Sequence, residues 1–225
     1  MKQSNLWIGG QHVEPSGGDY FDDINPSDQC VIAKVAKGSA SDIDKAVGAA
    51  KKAFQAFSRT QAKEREKILC DAASIVERDK DEYLGLLIEE VGSPVMKAQF
   101  EVDYCINAFR AAAGVPRRLT GETMPLDRPG AFGMSVREPV GVIACITPFN
   151  VPLLKNVKQI AMVIATGNTS VLLPSEFATQ VTVKFAETLD EAGLPGGVFN
   201  YVTGDPFDIG DVLTSHPDIT AVNFC

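Results

Sequence analysis

The sequence predicts an α/β protein: a parallel sheet with flanking helices, preceded by a mainly helical segment and a β-arm. Two observations predict it. The first is the stretch Pro139 to Glu176. Val140 to Ile146 is a short continuous apolar run, as expected for a strand buried on both faces. It breaks at Thr147-Pro148-Phe149-Asn150, and Pro152 suits the first turn of a helix, where a missing N–H costs nothing. Leu153, Val157, Ile160, Ala161 and Ile164 then recur at helical spacing until Gly167. Thr169 to Leu172 is a second apolar strand, closed by Pro174. The second observation is that this alternation continues. A helix over 178–192 turns Val181, Phe185, Ala186 and Leu189 inward and stops at Gly193; Val198 to Val202 is a strand; 207–215 is a short helix; Ile219 to Phe224 is a last strand. Strands alternating with helices predict parallel pairing through right-handed crossovers.

The earlier elements follow in order. Residues 5–13 read as two short strands about Gly9-Gly10, Asn25-Pro26-Ser27-Asp28 as a turn, and Cys30 to Ala36 as a strand. Four helices follow. Ser41 is placed to cap the first, with Ile43, Ala46, Val47, Ala50, Phe54 and Phe57 on one face. Thr60 is placed to cap the second, with Ile68, Leu69, Ala72, Ile75 and Val76 inward. Asp79 and Glu82 have capping-box spacing for a third that runs to Val91 and ends at Gly92 and Pro94. Pro94 opens a fourth, with Val102, Cys105, Ile106, Phe109 and Ala113 on one face. From Arg117 to Pro139 the texture changes: Gly121, Pro125, Pro129 and Gly130 punctuate it, and Phe132, Met134 and Val136 alternate as in a half-exposed strand. Three segments result: 1–119, strands and helices packing on the rest; 120–138, the arm; 139–225, the sheet domain.

A hydrophobic fraction of 45% is enough for a core, and a net charge of −8 argues against a general nucleic-acid binder. The five cysteines are scattered without a C-x-x-C, so a metal site is not expected and reduced thiols in the cytoplasm are. The start MKQSNLWIGG lacks the apolar core of a signal peptide, and no apolar run reaches membrane-spanning length.

ITPFN at 146–150, ATGNT at 165–169 and LLPSE at 172–176, in that order, resemble the aldehyde dehydrogenase superfamily, which reads I-[ST]-P-[WF]-N, A-x-G-N and V-x-K-P-S-E at the same spacings. EAGLPGGVFNYVTG at 191–204 and WIGG at 7–10 extend the resemblance over essentially the whole chain. It implies oxidation of an aldehyde through a cysteine nucleophile, with hydride transfer to NAD or NADP, and makes the sheet domain an incomplete Rossmann-like cofactor domain. It also implies that 120–138 is the arm joining subunits of a homo-oligomer; the plain alternative is a solvated hairpin. GETMP at 121–125 is similar to semialdehyde-oxidising members.

Loops 147–152, 173–177 and 203–207 leave the carboxyl ends of the strands, where parallel sheets bind ligands. Asn150 offers a neutral donor suited to an oxyanion. Read by spacing, it would shape its own turn; the resemblance implies that it holds the oxygen of the tetrahedral intermediate. The resemblance also places Ile146, Thr147, Pro148 and Phe149 beside the nicotinamide half of the cofactor. Glu176, beside Ser175, can accept both hydroxyls of an adenosine ribose and would repel a 2′-phosphate, which leans towards NAD. Either residue could instead cap the helix near 178. Gly204 and Gly210 bracket the loop that the resemblance places beside adenine, although Pro206 stands where the family often has glycine. Leu173 replaces the family's ribose-binding lysine, and Gln159 its second lysine, with Lys158 one helical position away. These changes predict weakened cofactor binding.

The family's nucleophilic cysteine and general-base glutamate follow later than residue 225. Cys145 falls inside a predicted strand, and Cys225 has no base near it in sequence. His12 and His216 lie far from any cysteine. The chain therefore reads as an amino-terminal portion, inactive alone, that meets an aldehyde only when the remainder is supplied. The alternatives are a non-catalytic binding or assembly module of the same descent and, less favoured by motif order, an unrelated nucleotide binder.

Overall fold

A computed structural model describes residues 2–225. Its elements run β1 (Lys2–Ser4), β2 (Leu6–Ile8), β3 (Gln11–Val13), β4 (Tyr20–Ile24), β5 (Val31–Ala36), α1 (Ala40–Phe57), α2 (Ala62–Arg78), α3 (Lys80–Glu89), α4 (Val95–Ala113), β6 (Thr123–Met124), β7 (Gly133–Met134), β8 (Val142–Thr147), α5 (Pro152–Ala165), β9 (Thr169–Pro174), α6 (Thr179–Glu191), β10 (Phe199–Tyr201), α7 (Pro206–Thr214) and β11 (Ile219–Phe224).

The α/β architecture is as expected. A six-stranded sheet has the order β11-β8-β9-β10-β2-β3; the first four strands are parallel, and β2 and β3 add antiparallel. Residues 5–13 are thus the far edge of the cofactor-type sheet. Side chains alternate across it. Cys145, Leu172 and Phe199 join a core with α2 to α6, while Ala144, Val171 and Leu173 join a second core with α1 and α7. A three-stranded sheet, β1-β5-β4, adjoins it. β1 and β4 escape a periodicity reading because three residues show no period and YFDDI carries two acids in mid-strand.

Several boundaries differ from expectation, each for a local reason. α1 is capped at Ser39, not Ser41, because Asp42 accepts both the Ser39 N–H (3.0 Å) and its hydroxyl (2.9 Å). Gln61, not Thr60, precedes α2; the Thr60 hydroxyl donates instead to the Phe57 carbonyl at 2.6 Å. Asp79 precedes α3 but does not cap it, since its carboxylate is held by Arg78 (2.6 Å) and Lys184 (2.9 Å). β8 starts at Val142 rather than Val140, because the Asn168 side chain accepts the N–H groups of Val140 (2.7 Å) and Gly141 (3.0 Å). The arm pairs over only two residues a strand, and Phe132, Met134 and Val136 are all exposed rather than half-exposed.

The helices that flank the sheet's carboxyl edge begin on poor caps, Val151 for α5 and Ala178 for α6, neither with a side-chain bond. Buried carboxylates from elsewhere do the work. Glu101, on α4 and fully buried, accepts the Leu154 N–H at 3.1 Å. Glu90, just past α3, accepts those of Gln180 (2.6 Å) and Val181 (3.0 Å). Neither Ser175 nor Glu176 caps α6. Burial raises the Glu90 carboxyl well above its ordinary 4.5, and the nearby Asp23 carboxyl pushes it further. Asp23 is itself raised, chiefly by burial, with Lys2 and Glu89 the other charges near it.

Raised folded values mean that the native state holds protons the unfolded chain releases. The stability these two groups contribute is complete below the ordinary carboxylate range and is lost as pH rises through their folded values. Replacing Glu90 by Gln should therefore flatten the fall of stability as pH rises above the ordinary carboxylate range, read from urea midpoints. Parallel curves for the two proteins would refute this. Glu90→Ala, which strands two N–H groups, should cost about 1–3 kcal/mol.

Candidate active site

β8 and β9 end in register, Ile146 opposite Leu173 and Thr147 opposite Pro174, so their loops leave the sheet side by side. A cavity of about 220 Å³ lies there, lined among others by Ile146, Thr147, Pro148, Ser175, Glu176 and Cys225. A second, of about 300 Å³, is lined by Phe21, Lys37, Glu176, Gly204, Asp205 and Phe207. Glu176 is common to both. The three predicted loops thus meet along one edge.

The floor is a chain of hydrogen bonds. Thr147 donates to Asn156 Oδ1 (2.9 Å), whose Nδ2 donates to Thr182 Oγ1 (3.1 Å), tying β8 to α5 and α6. Gln159 is buried and donates Nε2 to the Ile146 carbonyl at 3.1 Å; its Oε1 has no partner among the described residues. Lys158 is exposed on the outer side of α5, so it does not take Gln159's place. Leu173 is 2% exposed and packs in the core under α7, and where it reaches the wall of the first cavity its apolar side chain offers no donor.

Asn150 is exposed, and its side chain makes no hydrogen bond to the described residues, so it does not shape its own turn. Phe149, 54% exposed, meets Phe177 edge to face at 6.0 Å, which links the first two loops. The Ser175 hydroxyl lies 3.3 Å from Glu176 Oε2 and accepts the Phe177 N–H at 3.3 Å, leaving Glu176 facing both cavities. Gly204 packs closely: a Cβ there would lie 2.8 Å from Ile209 Cδ1 and 3.1 Å from the Gly38 carbonyl, so both neighbours would have to shift. Gly210 sits on α7 and lines neither cavity. Asp205 caps α7, accepting the Phe207 N–H at 2.9 Å.

Among the thiols, Cys145 is fully buried, and burial pushes it up to about 12. Cys105 is raised well above its ordinary value, by burial first and Glu101 second. Cys225 is exposed at the crevice, with the Lys155 ammonium 2.7 Å from its sulfur, a neighbour that sequence distance concealed. His12 lies by Glu187 (4.0 Å) and His216 by Asp44 (3.2 Å); neither lines either cavity. Lys37 and Phe21 are the residues lining the larger cavity that lie outside the three predicted loops. Lys37 and Phe21 come from strands and linkers remote in sequence, so no motif spacing marks them. No group of three metal-ligating side chains, and no helix long and apolar enough to cross a membrane, occurs among the described residues.

The two cavities fit a dinucleotide in chemistry. Glu176, a carboxylate suited to a ribose diol, lines both, with the rings of Phe21 and Phe207 in the larger and Thr147, Pro148, Ser175 and the Phe224 ring in the smaller. The aldehyde dehydrogenase family model matches residues 12–225. Malonate-semialdehyde dehydrogenase 1 of Shouchella clausii is 36% identical over 224 residues, 100% of this chain and 45% of that protein. The structure superposes on a salicylaldehyde dehydrogenase from Pseudomonas putida G7, complexed with salicylaldehyde, with a TM-score of 0.96 at 31% identity, covering 100% of this chain and 47% of that one. For an NAD-dependent aldehyde dehydrogenase from Sinorhizobium meliloti the TM-score is 0.94 at 34% identity, with 99% and 45% covered. The chain thus spans about half the length of the relatives it matches. Over nearly all of its residues, the chain belongs to the aldehyde dehydrogenase family.

Proposed function

We propose that this chain supplies the amino-terminal part of an NAD(P)-dependent aldehyde dehydrogenase of the cytoplasm. In this reading it contributes the oxyanion donor and much of the cofactor crevice, while the nucleophilic thiol and general base come from polypeptide other than residues 1–225. The observation that carries it is the free Asn150 side chain just before α5, in the loop whose Thr147 and Pro148 line one of two cavities that share Glu176.

As a thiol adds to an aldehyde carbon, negative charge develops on the carbonyl oxygen. The Asn150 amide donates to that oxygen in the transition state, and such a donor contributes roughly 3–4 kcal/mol. Asn150 has no bond to break first, so it is available without reorganisation. A nicotinamide held in this crevice would supply the hydride acceptor. Thr147 and Pro148 would flank the nicotinamide half, and Glu176 would take the adenosine ribose hydroxyls. With Leu173 in the core, the ribose lacks a lysine at that position, which supports weaker binding than a lysine-bearing site would give. The exposed Phe132, Met134 and Val136 support pairing of the 120–138 arm with a second subunit.

Purified chain with NAD or NADP and a panel of aldehydes should give no rise in reduced-nicotinamide absorbance; an aldehyde-dependent rise would overturn the division of labour. Once the polypeptide carrying thiol and base is supplied, Asn150→Ala should lower kcat by about 10² to 10³. A near-normal kcat would remove Asn150 from the mechanism. In the folded chain, a thiol-alkylating reagent followed by mass spectrometry should label Cys30, Cys70 and Cys225 and spare Cys105 and Cys145. Early labelling of Cys145 would contradict its burial.

A further inference from the structure

Lys37 stands out among the residues of the larger cavity. It lies in the linker between β5 and α1, and is the one cation lining a cavity that otherwise offers Glu176, Asp205, Gly204 and the rings of Phe21 and Phe207. Its backbone is fixed: the Lys37 N–H donates to the Asp19 carbonyl (2.8 Å), and the next N–H, of Gly38, to that of Thr203 (2.8 Å). Its side chain is not. The one carboxylate paired with it among the described residues is Asp208, at 3.5 Å, and the two side chains are 45% and 60% exposed. A pair so exposed holds its partners weakly and yields to a better anion. Asp205, the other acid at this wall, already accepts the Phe207 N–H and sits at the positive end of α7. Phe207 is 95% exposed, its ring open to a flat ligand. The cavity therefore presents an acceptor, Glu176, and a movable cation, Lys37, to one ligand.

An adenosine whose ribose reaches Glu176 presents its 2′ position inside this cavity. Glu176 by itself suits a free hydroxyl and opposes a phosphate. We infer that Lys37 binds a 2′-phosphate in the same cavity, so that the site takes the phosphorylated cofactor as well as the unphosphorylated one. This rests on the cofactor reading above and adds to it the residue that sets selectivity. Lys37 is a binding residue in this role and does not touch the reacting atoms.

The test uses the 225-residue chain and two half-cofactors that need only the adenosine end, 5′-AMP and adenosine 2′,5′-bisphosphate, titrated by calorimetry at low and moderate salt. Wild-type protein should bind the bisphosphate at least as tightly as within about tenfold of AMP, and Lys37→Ala should weaken the bisphosphate about tenfold while moving AMP less than about twofold. Lys37→Arg should keep the bisphosphate, and added salt should erode its binding more than that of AMP. Unchanged melting temperatures of the variants would exclude a merely structural effect. If Lys37→Ala leaves the bisphosphate untouched, or weakens both nucleotides alike, the assignment is wrong while the crevice stands. The same holds if wild-type protein binds AMP and rejects the bisphosphate. If neither nucleotide binds wild-type protein, the cofactor reading fails and this inference with it.

Discussion

Two buried glutamates hold the carboxyl edge of this protein's parallel sheet in place. An α-helix leaves its first N–H groups unpaired, and a buried helix start needs an acceptor. Neither α5 nor α6 carries one locally, since Val151 and Ala178 stand at their starts. Glu101 reaches the first turn of α5 from α4, and Glu90 reaches the first turn of α6 from the end of α3. Each carboxylate is desolvated, which is why the Glu90 and Glu101 carboxyls are raised by burial. The N–H groups they accept, and in Glu101's case Lys97 at 3.6 Å, offset that cost. The four-helix segment before the arm is therefore part of the site's scaffold. It fixes where the loops bearing Asn150 and Glu176 leave the sheet.

The crevice is built on that frame from the sheet itself. Strand ends in register deliver Thr147 and Pro174 side by side, and the Thr147–Asn156–Thr182 chain locks both following helices to them. The replaced lysines are consistent with this frame. Gln159 holds the carbonyl of Ile146 from below the crevice, a neutral contact in place of a charged one. Leu173 extends the apolar face under α7.

Much of the fold was legible. Val140 to Ile146, the Pro152 start, the Gly167 stop and the strand at 169–172 follow from hydrophobic period and backbone chemistry, and the structure keeps them within a residue or two. The errors share a cause. Ser41, Thr60 and Asp79 are all residue types that cap helices, but a neighbouring acceptor or cation claimed their role or their side chain. Motif order marked Ile146 to Asn150 and Ser175-Glu176, and the structure gathers Ile146 to Pro148 with Ser175 and Glu176 around one cavity. Gly204, placed beside adenine by resemblance, lines the larger cavity and also packs closely on Ile209 and Gly38.

By itself, the sequence determined the alternation of strand and helix, the family, and the residue types available at the sheet's carboxyl edge, because period, turn chemistry and motif spacing are local properties. Only the tertiary structure decided which charges meet. Glu90 lies 90 residues from the N–H it caps, Glu101 lies 53 from its own, and the Lys155 ammonium reaches a thiol 70 residues on. Coulombic and hydrogen-bonding partners are chosen by distance in space, and burial sets their strength; neither is written in the spacing of residues along the chain.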